Sequence, residues 1–131
     1  MKNIMMVFVV LLLLSCEVTK KNDISSLPAE YDVWVGQMIY ENSRNVAKFN
    51  SMYLDKVGFV YGEINSIGED NVEMSGREGA GKFYFTNPGI LINLNKNDNI
   101  KVKCKVSYVG SRGYFFKAEN CILVERNGVE F

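Results

Sequence analysis

Apolar side chains recur at two spacings along the chain, and the change from one to the other divides it into a helical part and a β-rich part. Between residues 31 and 50 they recur every three to four positions, which is the spacing of one helical face. From Val57 onward they alternate with polar or small residues, which is the period of a half-buried strand. The pattern therefore predicts a helix, begun by Pro28-Ala29-Glu30, followed by a set of strands.

The predicted helix presents one stripe of aromatic and aliphatic side chains. The stripe consists of Tyr31, Trp34, Val35, Met38 and Ile39. A stripe at this spacing is typical of a helix face packed on a core, so we expect these side chains to be buried. The polar residues 41–45 interrupt the pattern, and the helix either continues through them or kinks there.

Five segments alternate as strands do, and clusters of turn residues separate them. They are residues 57–67, 72–75, 82–85, 100–108 and 114–124. The fourth is the clearest, because apolar side chains alternate in it with Lys101, Lys103 and Lys105. This basic row is either a solvated strand face or a surface for anions or lipid headgroups. One helix followed by five short strands predicts an α+β domain whose strands form an antiparallel barrel.

The N-terminus has the pattern of a secretory signal peptide, which we assign to residues 1–15. Lys2 precedes an unbroken apolar run over residues 4–14, which is shorter than the roughly 20 residues that span a bilayer. Leu13-Leu14-Ser15-Cys16 resembles the bacterial lipobox. The resemblance implies that Cys16 carries the lipid and becomes the first mature residue; an ordinary signal peptide is the alternative.

The rest of the chain divides into a tether and one domain. Residues 16–28 are mostly polar, which favours a flexible tether, and residues 29–131 have the length of one small domain. A lipid on Cys16 places this domain on the cell envelope, with the membrane as a partner. Glu17 is not the Asp that some bacteria use for inner-membrane retention. It therefore favours the outer membrane, with the domain facing the periplasm.

Charge and composition disfavour several classes of function. The chain has 15 basic and 15 acidic side chains, whereas nucleic-acid binders are usually strongly basic, so nucleic acid is a disfavoured partner. The chain contains no histidine, which removes the commonest general base and a frequent metal ligand. We therefore expect no enzyme activity, no cofactor and no metal site.

Cys104 and Cys121 are the two cysteines that remain after Cys16. They lie in the two strands of the predicted last hairpin, and either register of its turn brings them near the distance that a disulfide requires. Export exposes them to oxidising conditions. We expect a disulfide between them, with two buried thiols as the alternative.

Three segments resemble the OB-fold family named for its likeness to tRNA-anticodon-binding domains. Lys56-Val57-Gly58-Phe59-Val60-Tyr61-Gly62-Glu63-Ile64 resembles its first strand, and Ile100-Lys101-Val102-Lys103-Cys104 and Asn120-Cys121-Ile122-Leu123 resemble its last two. The resemblance implies a helix before a five-stranded OB-type barrel. Many members resemble exported lipoproteins of unknown function, and the resemblance implies no catalytic residue.

OB barrels commonly bind ligands on their second and third strands and adjoining loops. On that basis Tyr84 and Glu73 are candidate ligand contacts, and Arg112 and Tyr114 of the last hairpin could add to them. We expect a non-enzymatic, membrane-anchored module that binds a protein, peptide or glycan. The alternatives are a structural or assembly subunit of the envelope and a domain that binds single-stranded nucleic acid.

Overall fold

Most of the observed strands coincide with the segments in which apolar residues alternate with polar ones. The structure is a computed structural model that describes residues 23–110 and 115–131. In chain order the elements are β1 (Asp32–Trp34), α1 (Val35–Arg44), α2 (Val46–Tyr53), β2 (Val57–Ile67), β3 (Asn71–Gly76), β4 (Gly79–Phe85), a 3-10 helix (Pro88–Asn93), β5 (Asn99–Val109), β6 (Phe115–Arg126) and β7 (Val129–Glu130). Within the described ranges, every helix is too short or too polar to cross a bilayer.

Five of the strands close into a barrel in the order β2–β3–β4–β6–β5, and β5 pairs again with β2. Strands β4 and β6 run parallel, so the barrel is mixed and the prediction of a purely antiparallel barrel is wrong. The reason is geometric. A ring with an odd number of strands cannot reverse direction at every junction, and one pair must therefore be parallel. Strands β1 and β7 are additions, paired with β2 and β6.

The segment before the barrel begins with a strand where the spacing predicts a helix, and its helical part breaks at Asn45, within residues 41–45 where a kink was one of the two alternatives. Its first residues form β1, which pairs in parallel with β2, and two helices follow. Asn45 separates the helices, since its backbone is extended with φ −155° and ψ 92°. Its side chain accepts a hydrogen bond of 3.0 Å from the N–H of Lys48 and so caps α2.

Aromatic side chains join the helices to the interior of the barrel. The ring centres of Phe49 and Tyr53 are 5.0 Å apart, those of Phe49 and Phe116 5.4 Å, and those of Phe83 and Phe116 5.6 Å. All four side chains are buried. A Cβ atom on Gly81 would lie 2.4 Å from the Phe116 ring, so glycine is needed where this ring enters the core. Helices and barrel therefore share one core.

Residues 23–27 lie on the barrel, although the sequence assigns them to the tether; we refer to them as the strap. Ile24 is buried, and the Leu27 N–H donates to its carbonyl at 3.1 Å. The Nζ of Lys103 donates to the carbonyl of Ser25 at 3.0 Å and to that of Leu27. Lys103 is only 9% exposed, and these two acceptors compensate the cost of burying its ammonium group.

The Lys103→Met variant is expected to release the strap, because methionine keeps an apolar stem but removes the N–H donors. Hydrogen bonds from a charged group contribute about 1.5–3 kcal/mol each, so amide exchange in residues 24–27 should become at least about tenfold faster. The control is Lys105→Met, two positions along the same strand face, which should leave this exchange unchanged. Equal exchange in the wild type and the Lys103 variant would contradict the assignment.

Candidate functional site

The predicted ligand contacts Tyr84 and Glu73 lie on the outer surfaces of β4 and β3. Glu73 is opposite Lys82 in the strand pairing, and Tyr84 is opposite Asn71. Both side chains are half-buried. The structure thus brings these two residues to one outer face. The other predicted contacts, Arg112 and Tyr114, lie outside the described residues, as does the lipidation site Cys16.

A strip of lysine and aromatic side chains extends this face across β4, β5 and β6. The Nζ of Lys117 lies 5.9 Å from the ring centre of Tyr84 and 5.6 Å from that of Tyr108. The Nζ of Lys82 lies 5.8 Å from the ring centre of Phe115. These distances are in the range of cation–π contacts. We refer to these five residues as the lysine–aromatic strip.

A larger concave surface lies across β1, β2 and the start of β5, where the sequence predicted no site. It is a groove of about 770 Å³. Trp34 and Tyr61 line it with 56% and 44% of their surfaces exposed. They are register partners in the parallel pair β1–β2, so their side chains project side by side from one face. We refer to this surface as the Trp34–Tyr61 groove.

Polar side chains line the groove together with the two rings. They are contributed by β2, β5, β6 and the loop before β5, and comprise Glu63, Asn65, Asn97, Asn99, Lys101 and Glu125. Amides supply both hydrogen-bond donors and acceptors, and carboxylates supply acceptors. A concave surface with an aromatic platform and a few convergent polar groups is the usual form of a binding site for a small ligand.

The exposure of Trp34 corrects the prediction that it belongs to the buried helical stripe. Trp34 ends β1 instead, and its ring lies over the first turn of α1. A Cβ atom on Gly36 would lie 2.6 Å from that ring, so the absence of a side chain at this position leaves room for the Trp34 ring.

A second glycine brings the helix close to the barrel. A Cβ atom on Gly62 would lie 2.5 Å from a methyl group of Val35, so Gly62 lets the start of α1 approach β2.

The groove has more acidic than basic side chains. Lys101 donates to Asp32 at 2.9 Å, and this hydrogen bond raises the pKa of Lys101. Glu63 and Glu125 add two further carboxylates. The predicted basic row is therefore not a free cationic surface, since Lys101 is paired with Asp32 and Lys103 holds the strap.

Asp98 fixes the loop that carries Asn97 and Asn99 into the groove. Its carboxylate accepts from the N–H of Asn95 at 2.8 Å and from the side chain of Asn127 at 3.2 Å, and it forms an ion pair of 3.0 Å with Arg126. The hydrogen bond from Asn95, then that from Asn127 and the Arg126 charge, lower the pKa of Asp98.

The lowered pKa of Asp98 predicts a dependence of stability on pH. A carboxyl whose pKa falls on folding stabilises the protein above its unfolded pKa, near about 4, and loses this contribution as the pH falls through the folded value. Thermal melts from about pH 6 to pH 2 should therefore show a smaller acid-induced drop in the Asp98→Asn variant than in the wild type. Glu69→Gln, in the β2–β3 turn, serves as control. Equal drops in wild type and Asp98→Asn would contradict this role.

Cys104 and Cys121 meet in the core of the barrel as thiols. Asn120, whose φ of 56° is left-handed, lies where the β5–β6 register shifts. Burial, together with the hydrogen bond between the two thiols, raises the pKa of Cys121. Burial of both thiols disfavours the thiolate in the folded domain, so we expect that a disulfide, where it forms, forms before the barrel closes.

Oxidation of this pair during export remains our prediction. A thiol oxidant of the envelope would take up the two electrons and two protons that the dithiol loses. A disulfide that closes the loop between Cys104 and Cys121 would add about 3 kcal/mol to the free energy of unfolding. Protein purified from its own membranes should be lighter by two hydrogen atoms than after reduction. Two titratable thiols after denaturation without reductant would contradict the prediction.

Comparison with known proteins shows a likeness of fold. No family model and no curated protein matches the chain. A protein from Klebsiella pneumoniae subsp. pneumoniae, named as a candidate nucleic acid-binding lipoprotein, has a TM-score of 0.60 at 20% identity over 72% of this chain and 92% of that one. A candidate aspartyl-tRNA synthetase from Leishmania major has a TM-score of 0.45 at 10% identity, over 79% of this chain and 23% of that one. The first likeness and the closed barrel identify an OB-like fold.

Proposed function

We propose that this chain is an exported, lipid-anchored and non-enzymatic binding module of the cell envelope, with its ligand in the Trp34–Tyr61 groove. The observation that carries the proposal is the pair of exposed aromatic rings, in register on adjacent strands and surrounded by polar side chains. Large exposed apolar groups in a concave setting mark ligand sites. The signal peptide and Cys16 support export and anchoring.

The composition of the groove supports binding without catalysis. Its polar side chains are amides, carboxylates, one hydroxyl and one ammonium beside the aromatic and aliphatic lining, and the chain has no histidine to act as a general base. Among the described residues, no group of three metal-ligating side chains lies close enough to hold an ion. A site that offers stacking and hydrogen bonds can select a ligand without transforming it.

The fluorescence of Trp34 tests the proposal, because it is the single tryptophan of the chain and lies in the groove. Protein purified from its membranes in detergent is titrated with the protein, peptide and glycan fractions of the solubilised envelope. We expect a saturable shift of emission with one fraction, and a loss of at least about tenfold in affinity in Tyr61→Ala. Tyr40→Ala, an exposed tyrosine on α1, is the matched control. Loss of binding in Tyr84→Ala but not in Tyr61→Ala would move the site to β4.

The anchor is tested separately by intact mass. Membrane-extracted protein should begin at Cys16 and carry the added mass of acyl chains, and Cys16→Ser should leave the membrane fraction. Recovery of an unmodified chain that still begins at Met1 would overturn the anchoring part of the proposal.

The lysine–aromatic strip favours single-stranded nucleic acid as a second candidate ligand. Aromatic side chains stack on bases of any sequence, and Lys82 and Lys117 could meet the phosphates. The Klebsiella protein of similar fold carries a nucleic acid-binding name. The zero net charge and the position of Glu73 opposite Lys82 weigh against this candidate. Binding of a labelled oligothymidylate that weakens steeply with salt and is lost in Lys117→Ala would support it; absence of binding at low salt would remove it.

A further inference from the structure

We infer that the ligand of the Trp34–Tyr61 groove is an oligosaccharide without acidic groups. The inference rests on the proposed function and names the class of molecule that this groove takes. Three properties of the site carry it: a platform of two exposed aromatic side chains from neighbouring strands, a border rich in amides, and an excess of carboxylates.

Two exposed aromatic side chains from neighbouring strands form the platform of the groove. Neighbouring strands lie about 4.8 Å apart, so the register pair Trp34 and Tyr61 places two aromatic side chains next to each other on one face. A pyranose ring has a face of C–H groups and a rim of hydroxyls, and it matches side chains that have an apolar body and a polar tip. Because Gly36 leaves space for the Trp34 ring, the platform exists before the ligand arrives.

The border of the groove suits hydroxyl groups. Asn65, Asn97 and Asn99 each supply amide donors and an acceptor, and a hydroxyl group both donates and accepts. A peptide would need apolar pockets or a free strand edge. The apolar lining residues Val35, Ile64 and Ile100 are buried at 3% exposure or less, and β1 offers an edge of only three residues. The lining therefore favours a glycan over a peptide.

The charge of the groove excludes acidic sugars. Glu63 and Glu125 line the groove with two carboxylates, and the ammonium group of Lys101 there already donates to Asp32. A uronate or a phosphorylated sugar would add a further negative charge beside uncompensated carboxylates, which disfavours binding. Neutral sugars avoid this repulsion, and amino sugars convert it into attraction.

The test is a titration of Trp34 fluorescence in the detergent-purified protein with oligosaccharides that differ in charge. Neutral oligomers of glucose, mannose, galactose and N-acetylglucosamine are compared with two charged relatives: oligogalacturonate, and the de-N-acetylated form of the N-acetylglucosamine oligomer. We expect saturable binding of at least one neutral oligomer and binding of oligogalacturonate that is at least about tenfold weaker than that of the galactose oligomer. The amino-sugar oligomer should bind at least as tightly as its acetylated form. Tyr61→Ala should weaken the neutral oligomer at least about tenfold, and Tyr40→Ala should not.

Other outcomes separate failure of this inference from failure of the proposed function. Binding of oligogalacturonate as tight as that of its neutral relative would overturn the charge assignment. A shift of Trp34 emission by the peptide fraction of the envelope, with no shift by any oligosaccharide, would overturn the glycan assignment and leave the binding module intact. If neither any oligosaccharide nor any envelope fraction changed the emission, both proposals would fall.

Discussion

The Gly36→Ala variant is expected to lose about tenfold or more of its affinity for the groove ligand without losing stability. The new methyl group would lie 2.6 Å from the Trp34 ring and would displace it from the platform. The ring is more than half exposed and can rotate into solvent, so the displacement costs the folded state little. Alanine is favoured over glycine within a helix by up to about 1 kcal/mol, so the unfolding midpoint in urea should stay equal or rise.

This combination of weaker binding and unchanged or higher stability distinguishes a displaced ring from a damaged fold. The control is Gln37→Ala, the next position of α1, which should change neither quantity by a large amount. Binding by titration calorimetry and unfolding in urea measure the two effects on the same samples. Full affinity in Gly36→Ala would show that the position of the Trp34 ring does not matter to the ligand.

Replacement of Phe116 by alanine is expected to remove much of the stability of the domain. The Phe116 ring is fully buried, contacts the rings of Phe49 and Phe83, and fills the space above Gly81. Truncation of a buried phenylalanine costs about 3–5 kcal/mol, from lost burial and from the cavity that remains. Domains of this size have a total free energy of unfolding of about 5–15 kcal/mol.

The neighbouring Phe115 provides a matched control, since it projects from the outer face of β6 into the lysine–aromatic strip and is only half-buried. Phe115→Ala should cost less than about 1 kcal/mol. Urea unfolding followed by circular dichroism measures both variants. A larger loss in Phe115→Ala than in Phe116→Ala would mean that the faces of β6 are reversed, and that the core described above is wrong.

The barrel strands were predictable because a period of two is a local property of the sequence. Strand β5 was expected over residues 100–108 and is found at Asn99–Val109, since its apolar side chains from 100 to 106 alternate with three lysines. The mixed character of the barrel was also predictable, because a closed ring with an odd number of strands requires at least one parallel pair. Strand β7 was missed although Asn127-Gly128 is a frequent hairpin sequence; both residues have the positive φ that such a turn needs.

The groove could not be predicted from local patterns, because its walls come from segments that are distant in the sequence. Strand β1 has three residues and is defined by its pairing with β2, whereas its spacing fits a helical face equally well. Trp34 was therefore placed in the core. The common outer face of Tyr84 and Glu73 was predictable because the resemblance to the OB fold supplied the tertiary context that spacing lacks; their contact with a ligand stays a prediction. Ile24, an apolar residue in a mostly polar tether, was a local sign of the strap.

Photo-crosslinking in living cells tests most directly whether the Trp34–Tyr61 groove is the occupied surface. Benzoylphenylalanine is introduced at position 61 in one strain and at position 84 in another, and the protein is recovered from the membrane after irradiation. We expect a discrete, heavier crosslinked species from position 61 that disappears when Trp34→Ala is added, and none from position 84. Crosslinking from position 84 alone would show instead that the ligand binds the lysine–aromatic strip.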